Sequence, residues 1–586
     1  MFGNKIGNKR WAAMALVLLL ALIAACAPPA PEVVEKEVVV EKPVVETVIV
    51  EKEVVVEKPV VETVIVEKEV VVEPAPTLAP QMTDPNTLLV VMWCEPAGID
   101  PAIYRGDTLA GQNVYETLVR TNPPGSEELV RPHLAESYEV FDDGLVWTFH
   151  LRQGVKTHSG GEFTAEAVKY SVERTLEAGG SPARFWKDVE DMEVVDRYTI
   201  RFTLKEPVPF ATTLGSRTSV YMLDPEPFKE NEVEGDLGQK WALMHASGTG
   251  PYKLVSWDPG EQMVFEKFDE YWGGWEGKHV ETIIVRFTRE FSTARLILES
   301  GDADVIIPGA VDIPVGDALA MRELPGVTVY IEDSMMGLYF TLAHQKEPTN
   351  NVKVRQALAY ATDYDKIIDT VLYGYGRQLQ GPLPYGMWTH DDDLPMYSFD
   401  LDKARQLLEE AGYSDGFEVV YFYTTGSEAM RQAAEIMQND WRKLGVDLIL
   451  VALPRETLRS KARGEDSEQH PHMVARWFYP SAVDPFYYFD TMYHSLPAPL
   501  VLNNYGQYKN PEFDEIVDRA HALSATDPEK AEELFKEAQR IHHEDAVDLD
   551  LYQQSEFWLM SAWVKGFEYN QFYPRQVFFY ELFKEP

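Results

Sequence analysis

The sequence predicts an α/β fold divided over more than one lobe. Stretches with period-two alternation indicate half-buried strands, and capped amphipathic stretches indicate helices; the two kinds are interspersed along the chain. Of the 586 residues, 45% are hydrophobic and 25% are charged. That composition is typical of globular proteins and excludes a mostly disordered, collagen-like or multi-span membrane chain.

Two strands are predicted where every second residue is apolar. Residues 145–151 are LVWTFHL, and residues 198–204 are YTIRFTL. Because successive side chains of a strand point to opposite faces, this alternation places one face of each strand in a core.

Four helices are predicted from residues that favour helix starts and ends. An Asp, Ser or Thr can accept hydrogen bonds from the first turn, and a Gly can adopt the left-handed conformation that ends a helix. The start and end residues are Thr164 with Gly179-Gly180, Asp400 with Gly412, Ser427 with Gly445, and Asp527, followed by Pro528 at the first helical position.

The N-terminus predicts a secreted protein held by a lipid. A basic start is followed by an apolar run over 11–25, which is short of the ~20 residues that span a bilayer. Residues 22–26, LIAAC, resemble the bacterial lipobox, in which the cysteine thiol carries a diacylglycerol. We predict a signal peptide over 1–25 and a lipid anchor on Cys26, which places the protein outside the cytoplasm, in a periplasm or on the cell surface. The alternative is an ordinary signal or a short anchor helix.

A repeated segment follows the predicted anchor. Residues 35–50 are EKEVVVEKPVVETVIV, and residues 51–66 repeat them without a change. Because Pro43 and Pro59 interrupt a helix and the 16-residue period fits no heptad, we predict an extended, charged stalk over 26–80. An oligomerising β or coiled segment is the alternative.

Charge and motifs exclude several classes of protein. The net charge of −42 disfavours nucleic acid as a partner, and two cysteines are too few for a disulfide scaffold or a Cys-based metal cluster. The chain contains no nucleophile elbow, zinc-protease motif or phosphate-binding loop. We therefore predict no enzyme, no catalytic residue, no metal and no cofactor, and we interpret the His542–Asp545 cluster as helix-surface or helix-end charge.

Six segments in order resemble the extracellular solute-binding proteins of family 5, the receptors of ABC importers for peptides, nickel and other solutes. The most extensive match is 132–174, with its LAES start, DDG turn and TAEAV helix start. The others are 88–101, 114–119 (VYETLV), 248–252 (GTGPY), 354–363 (VRQALAYATD) and 510–514 (NPEFD). Most of these motifs concern the fold: we expect a turn at Asp142–Gly144, tight backbone at Gly248 and Gly250, and a buried structural role for Arg355.

The resemblance implies a two-lobed periplasmic-binding-protein-like fold, of the class II or cluster C type, with an extra subdomain. We place the first lobe at 81–125, 245–330 and 548–586, the subdomain at 126–244, and the second lobe at 331–547. Such lobes close on a ligand like a hinged trap, and the closed form docks on an ABC permease. ATP hydrolysis would occur on separate ATPase subunits.

The resemblance also implies where a ligand binds. The expected contacts are Trp93 and Glu95 after the first strand, with Trp388, Arg476, Trp477, Tyr479 and Asp484 in the second lobe. Peptide binders of the family pair the ligand amine with an Asp in a pattern like W-x-x-D-Y-x-D/E-P. Here Trp477 and Asp484-Pro485 match, but Pro480 stands in place of the amine-binding Asp, which leaves Glu95 or Asp484 as substitutes.

The function expected from these residues is capture of an oligopeptide or dipeptide for import. An oligosaccharide stacked on the aromatic side chains is the alternative, because such rings also bind sugars. A surface enzyme or sensor that reuses the fold is the less favoured class.

Overall fold

The computed structural model describes residues 81–586, except 83, 93–94, 104–108, 216–219, 289, 308–312, 465–468, 481 and 496–502. The predicted signal peptide, the lipid anchor at Cys26 and the stalk lie outside the described residues. In the part that is described, no helix is both long enough and apolar enough to cross a membrane.

The strands are numbered in chain order. They are β1 Thr87–Met92, β2 Val119–Thr121, β3 Val130–Pro132, β4 Ala135–Phe141, β5 Val146–Leu151, β6 Val189–Asp196, β7 Thr199–Leu204, β8 Tyr252–Asp258, β9 Gln262–Lys267, β10 Thr282–Phe287, β11 Val305–Ile307, β12 Val327–Leu342, β13 Gly376–Arg377, β14 Phe417–Thr424, β15 Val446–Leu453, β16 Met473–Phe478, β17 Asp548–Ser561, β18 Val564–Lys565 and β19 Phe583–Lys584.

The helices are numbered in the same way. They are α1 Leu109–Val114, α2 Ala165–Ala178, α3 Phe210–Leu214, α4 Pro225–Glu230, α5 Gln239–Ala242, α6 Phe291–Ser300, α7 Val315–Met321, α8 Val352–Tyr360, α9 Tyr364–Leu372, α10 Leu401–Ala411, α11 Glu428–Trp441, α12 Arg455–Arg463, α13 Phe486–Met492, α14 Pro511–Leu523 and α15 Pro528–Glu544.

The predicted strands and helices are confirmed. The alternating segments form β5 and β7, and the buried side chains include Trp147, Phe149 and Leu151 in β5 and Ile200, Phe202 and Leu204 in β7. The four predicted helices are α2, α10, α11 and α15, and each begins at its predicted cap. At Asp400, for example, the side chain accepts hydrogen bonds from two backbone N–H groups of the first turn, and Gly412 ends the same helix in the left-handed conformation.

One 11-stranded sheet runs through both lobes. Its order is β15-β14-β16-β12-β17-β11-β1-β10-β9-β8, and β13 pairs with β17 beside this path. The central strands β12 and β17 are 16 and 14 residues long, and irregularities interrupt their pairing between Asp333 and Gly337. One half of each central strand therefore belongs to the first lobe, with β1 and β8–β11, and the other half to the second lobe, with β14–β16. The predicted two-lobed α/β fold is confirmed.

A separate four-stranded sheet, β4-β5-β7-β6, lies outside the main sheet. Its connection from β4 to β5 is the predicted turn, where Asp142, Asp143 and Gly144 all have positive φ, of 51°, 53° and 94°. The segment carrying this sheet contacts α13, since Tyr487 lies 3.3 Å from Thr213, hydroxyl to hydroxyl. The predicted domain boundaries stay a proposal.

The family-like motifs mainly build the backbone. A Cβ at Gly248 would lie 2.4 Å from the carbonyl oxygen of Val114, and one at Gly250 would lie 2.7 Å from that of Asn113, so both positions require glycine. Arg355 is 4% exposed, and its guanidinium donates to four backbone carbonyl oxygens. Its predicted role as a buried structural cation is confirmed.

An ion pair joins α2 to the loop after β1. Arg174 donates to both carboxylate oxygens of Asp100, over 2.8 and 2.7 Å, and both side chains are 1% exposed. A bidentate pair of this kind fixes the relative orientation of the two segments as well as neutralising two buried charges.

Candidate functional site

A cavity of about 1200 Å³ lies between the two halves of the main sheet. Its described lining divides into three parts. The first-lobe wall consists of Met92, Leu109, Phe291, Ile307 and Ile313–Asp317; the second-lobe wall of Thr370–Tyr373, Thr424–Met430, Gln432, Arg455, Leu458, Arg459, Ala475–Tyr479, Asn503 and Tyr505; and the floor of Gln554–Phe557, Pro574 and Arg575.

The second-lobe wall is formed where parallel strands end. β14 pairs in parallel with both β15 and β16, so the carboxyl ends of the three strands meet at one edge of the sheet. The chain then turns into α11 after β14 and into α12 after β15. Ligands of open α/β sheets bind beyond this edge, because the turns there present backbone N–H groups and polar side chains.

The first-lobe wall is built in the same way but has different chemistry. β1 and β11 are parallel neighbours, and their last residues, Met92 and Ile307, line the cavity. Phe291 begins α6 and is 8% exposed. Asp317 is the one charged side chain among the described residues of this wall. The wall therefore offers mainly apolar surface.

A buried ion pair supports the second-lobe wall. Arg476 is 5% exposed and donates to Asp548 over 2.7 Å and to the carbonyl oxygen of Asn503 over 2.6 Å. The Tyr493 hydroxyl donates to the same carboxylate oxygen of Asp548 over 2.7 Å. Although Arg476 lies at the cavity, both terminal nitrogens of its guanidinium donate to the protein itself.

Two more titratable groups lie behind that pair. His542 is fully buried and stands 3.9 Å from both Asp548 and Asp550. Burial lowers the pKa of His542 to about 4, so the ring is neutral at pH 7. Burial and the neighbouring Asp548 raise the pKa of Asp550 well above its ordinary value. The prediction of a helix-surface charge at this position is wrong for His542.

These three side chains have the ligand types of a metal centre. One atom from each of His542, Asp548 and Asp550 lies within 4.8 Å of the others. However, the two carboxylates face opposite nitrogens of the imidazole ring, and the Arg476 guanidinium already supplies a cation to Asp548. The arrangement suits a buried ion-pair network better than a metal.

Three of the predicted ligand-binding residues line the cavity together. Arg476, Trp477 and Tyr479 lie at the end of β16 or directly after it. The half-buried Trp477 packs edge-on against Tyr552, with ring centroids 5.9 Å apart. Trp93 lies outside the described residues.

The other three are not among the described lining residues and stay predictions. Glu95 accepts hydrogen bonds from the Trp257 indole, at 2.7 Å, and from the backbone of Gly260, at 2.9 Å. The buried Asp484 is 2.8 Å from His521. Trp388 packs edge-on against Phe535. Glu95 thus accepts from two protein donors, and Asp484 accepts from the backbone N–H of Phe486 in addition to lying beside His521.

Arg455 and Arg459 lie on α12 beside the cavity and were not among the predicted site residues. No motif marks these two arginines, and only their position in the fold indicates that they lie near a ligand. Both lie on the helix that follows β15, and β15 ends beside its parallel neighbour β14. Ligand-binding residues concentrate at such strand ends. β14 and β15 had not been predicted, so that signal was not used.

Comparisons with known proteins agree with this architecture. Residues 130–499 match the family described as bacterial extracellular solute-binding proteins, family 5. The chain is 30% identical over 497 residues to the probable D,D-dipeptide-binding periplasmic protein DdpA of Escherichia coli, covering 83% of this chain and 92% of that protein. It is also 30% identical over 523 residues to heme-binding protein A of Haemophilus influenzae, with coverage of 83% and 92%.

A solved structure shows the same fold with a peptide bound. It is the periplasmic binding protein DppA of Helicobacter pylori in complex with the peptide STSA, at 26% identity and a TM-score of 0.71. The match covers 85% of this chain and 98% of that one. These relatives are named for chemically different ligands, so the similarity alone does not identify the ligand of this chain.

Proposed function

Because the chain belongs to the bacterial extracellular solute-binding proteins of family 5, we propose that it captures an oligopeptide or dipeptide between its lobes and delivers it to the permease of an ABC importer. The observation that carries the proposal is the cavity at the strand ends, with one apolar wall and one hydrogen-bonding wall. A peptide needs both, since its backbone must be hydrogen-bonded and its side chains need apolar surface. The binding protein itself makes and breaks no bond.

The volume favours the longer ligands. Pockets for small molecules measure roughly 300–1000 Å³, whereas this cavity measures about 1200 Å³. We therefore expect an oligopeptide to fill the cavity better than a dipeptide.

The test is a binding screen on the lipid-free chain, residues 27–586. Native mass spectrometry would first detect any ligand that co-purifies. Thermal-shift assays would then compare di- to pentapeptides with cello- and xylo-oligosaccharides. A ligand that binds the folded state alone stabilises it by about 2.7 kcal/mol at a hundredfold excess over Kd. We expect stabilisation by peptides, strongest for those longer than two residues.

An oligosaccharide is the second candidate, because Trp477, Tyr479 and Tyr505 all line the cavity. Aromatic rings of this kind stack on sugar faces as well as on apolar side chains. Stabilisation by sugars alone would contradict the peptide proposal and establish this alternative.

We propose further that Cys26 carries the lipid anchor and that ABC permease and ATPase subunits are the partners. The LIAAC sequence at 22–26 supports the first point, and family membership supports the second. Labelling with a radioactive fatty acid should mark the full chain and fail to mark Cys26→Ser. Labelling of that variant would disprove the assignment of Cys26.

A further inference from the structure

Each acidic group of the described cavity lining has a cation of the protein beside it. In the described lining these are three: Asp317, Glu428 and Glu556. Glu428 pairs with Arg431 over 2.5 Å. Glu556 lies 3.8 Å from Arg575, and Asp317 lies 3.5 Å from Arg295. A ligand ammonium group therefore meets carboxylates that already have a cation beside them.

Among the basic groups of the described lining, one has no such partner. Arg476 and Arg575 are paired with buried carboxylates. Arg455, in contrast, makes no hydrogen bond or ion pair with the described residues. Arg459 pairs over 3.1 Å with Glu456, whose side chain is 81% exposed and does not line the cavity. An exposed pair of this kind is weak, so Arg459 can readily bind another anion.

The two arginines lie close together at a place where a bound anion would be favourable. Arg455 and Arg459 are four residues apart on α12, so they lie on one face of the helix and repel each other. Arg455 is also in the first turn, where the helix dipole disfavours a cation.

Backbone N–H groups add to the positive electrostatic potential of the two arginines. α11 and α12 both begin at the cavity, and in neither does a side chain cap the first N–H groups. Such groups are donors without a partner in the helix, and they carry the positive end of its dipole. They support the arginines in favouring an anionic group.

We infer that Arg455 and Arg459 hold an anionic end of the ligand, which for a peptide is its C-terminal carboxylate, and that none of the three carboxylates of the described lining reads the peptide's amino end. This inference rests on the proposed function, since it assumes a peptide ligand. It agrees with Pro480 standing where peptide binders of the family would have an Asp. Peptides with a blocked amino group are then ligands as good as free ones.

The experiment uses one peptide found in the screen, prepared in free, N-acetylated and C-amidated forms. Isothermal titration would measure each form against the unmodified chain, Arg455→Gln and Arg459→Gln. A charge-assisted hydrogen bond contributes enough that amidation should weaken binding by about 10- to 100-fold. N-acetylation should change Kd by less than about threefold. The amidation effect should shrink strongly in both variants, because the group that reads the carboxylate is gone.

A matched control removes the same charge from the same lobe. Arg405 on α10 pairs with Asp402, is 49% exposed and does not line the cavity. Arg405→Gln should keep the full amidation effect. Circular dichroism and the melting temperature would show that each variant is folded.

Three results would overturn the inference. If N-acetylation weakens binding and amidation does not, a carboxylate reads the amine; Asp317 is then the group to replace, as Asp317→Asn, since its pair with Arg295 is easily exchanged. If the amidation effect persists in both arginine variants, the carboxylate binds elsewhere. If no form of any peptide binds, the proposed function fails first, and the inference fails with it.

Discussion

The two walls of the cavity are built alike but differ in chemistry. Each is formed at the carboxyl ends of parallel strands, β1 and β11 in the first lobe and β14, β15 and β16 in the second. The first-lobe wall presents Met92, Phe291 and Ile307, whereas the second-lobe wall presents arginines, hydroxyl groups and amides. Apolar surface contributes non-directional binding energy, and polar groups set orientation. The difference suggests that the first lobe supplies shape and the second supplies recognition.

The largest expected effect concerns the ion pair behind the polar wall. Arg476→Met leaves Asp548 buried without its cation, beside Asp550. Removing one partner of a buried pair typically costs 3–5 kcal/mol, so we expect a loss of about that size. Urea unfolding measures it. Arg459→Gln, on the same wall but in a weak surface pair, should cost less than about 0.5 kcal/mol. Equal losses in both variants would contradict the structural role given to Arg476.

The apolar wall is tested by Phe291→Ala. Phe291 is 8% exposed and packs in a cluster with Leu298 and Ile306. Truncation should cost about 3 kcal/mol of stability, at the lower end of the range for buried aromatic residues, because one side of the ring faces the cavity. It should also weaken every peptide alike, whether or not its ends are blocked. Leu296→Ala, 64% exposed on the same helix, is the control and should change stability by less than about 0.5 kcal/mol. If Phe291→Ala weakened the binding of only the free, the N-acetylated or the C-amidated peptide, this wall would also recognise polar groups.

Two histidines, His158 and His542, should make the stability of the protein depend on pH. Burial lowers the pKa of His158 and of His542 to about 4. His158 accepts a hydrogen bond from the backbone of Gly248 and lies 2.8 Å from the carbonyl oxygen of Gly250, an arrangement that a neutral ring satisfies.

Stability should fall as pH falls, because unfolding lets these histidines take up protons. Between pH 6.5 and pH 4 the unfolded chain binds protons at these positions that the folded chain does not, so stability falls as pH falls. Each histidine should contribute about 1–3 kcal/mol to that loss. Urea unfolding at several pH values measures the slope, which should flatten in His542→Gln and in His158→Gln. An unchanged slope would mean that the rings are already protonated in the folded state.

The smallest effect concerns Asp550. Burial and Asp548 raise the pKa of Asp550 well above its ordinary value. At pH 7 the group ionises more easily in the unfolded chain than in the folded one, and this difference lowers the stability of the folded state. Asp550→Asn should therefore stabilise the protein at pH 7, by about 1 kcal/mol, and the gain should vanish at low pH, where Asp550 is protonated in the unfolded chain too. Asp548→Asn is the contrasting variant and should destabilise, because Arg476 loses its partner. A destabilised Asp550→Asn would show that its charge is needed in the network.

The sequence by itself determined the local structure and the family. Helix starts such as Asp400 and ends such as Gly412 depend on neighbouring backbone atoms, and alternation over 198–204 depends on a single sheet face. These features depend on interactions within a few residues, so the local sequence pattern is enough to predict them. The glycines at 248 and 250 and the buried Arg355 were also identified correctly, because family-like motifs carried them.

Only the tertiary structure decided which polar groups meet a ligand. Arg476 and its partner Asp548 are 72 residues apart in sequence, and nothing local indicates that they pair. The protein partners of Glu95 and Asp484, the two predicted amine ligands, also come from distant segments and could not be read from the sequence. Arg455 and Arg459 had no motif, and their relevance depends on β15 ending beside β14 at the cavity. A side chain's availability depends on every group packed around it, and those groups come from distant parts of the chain.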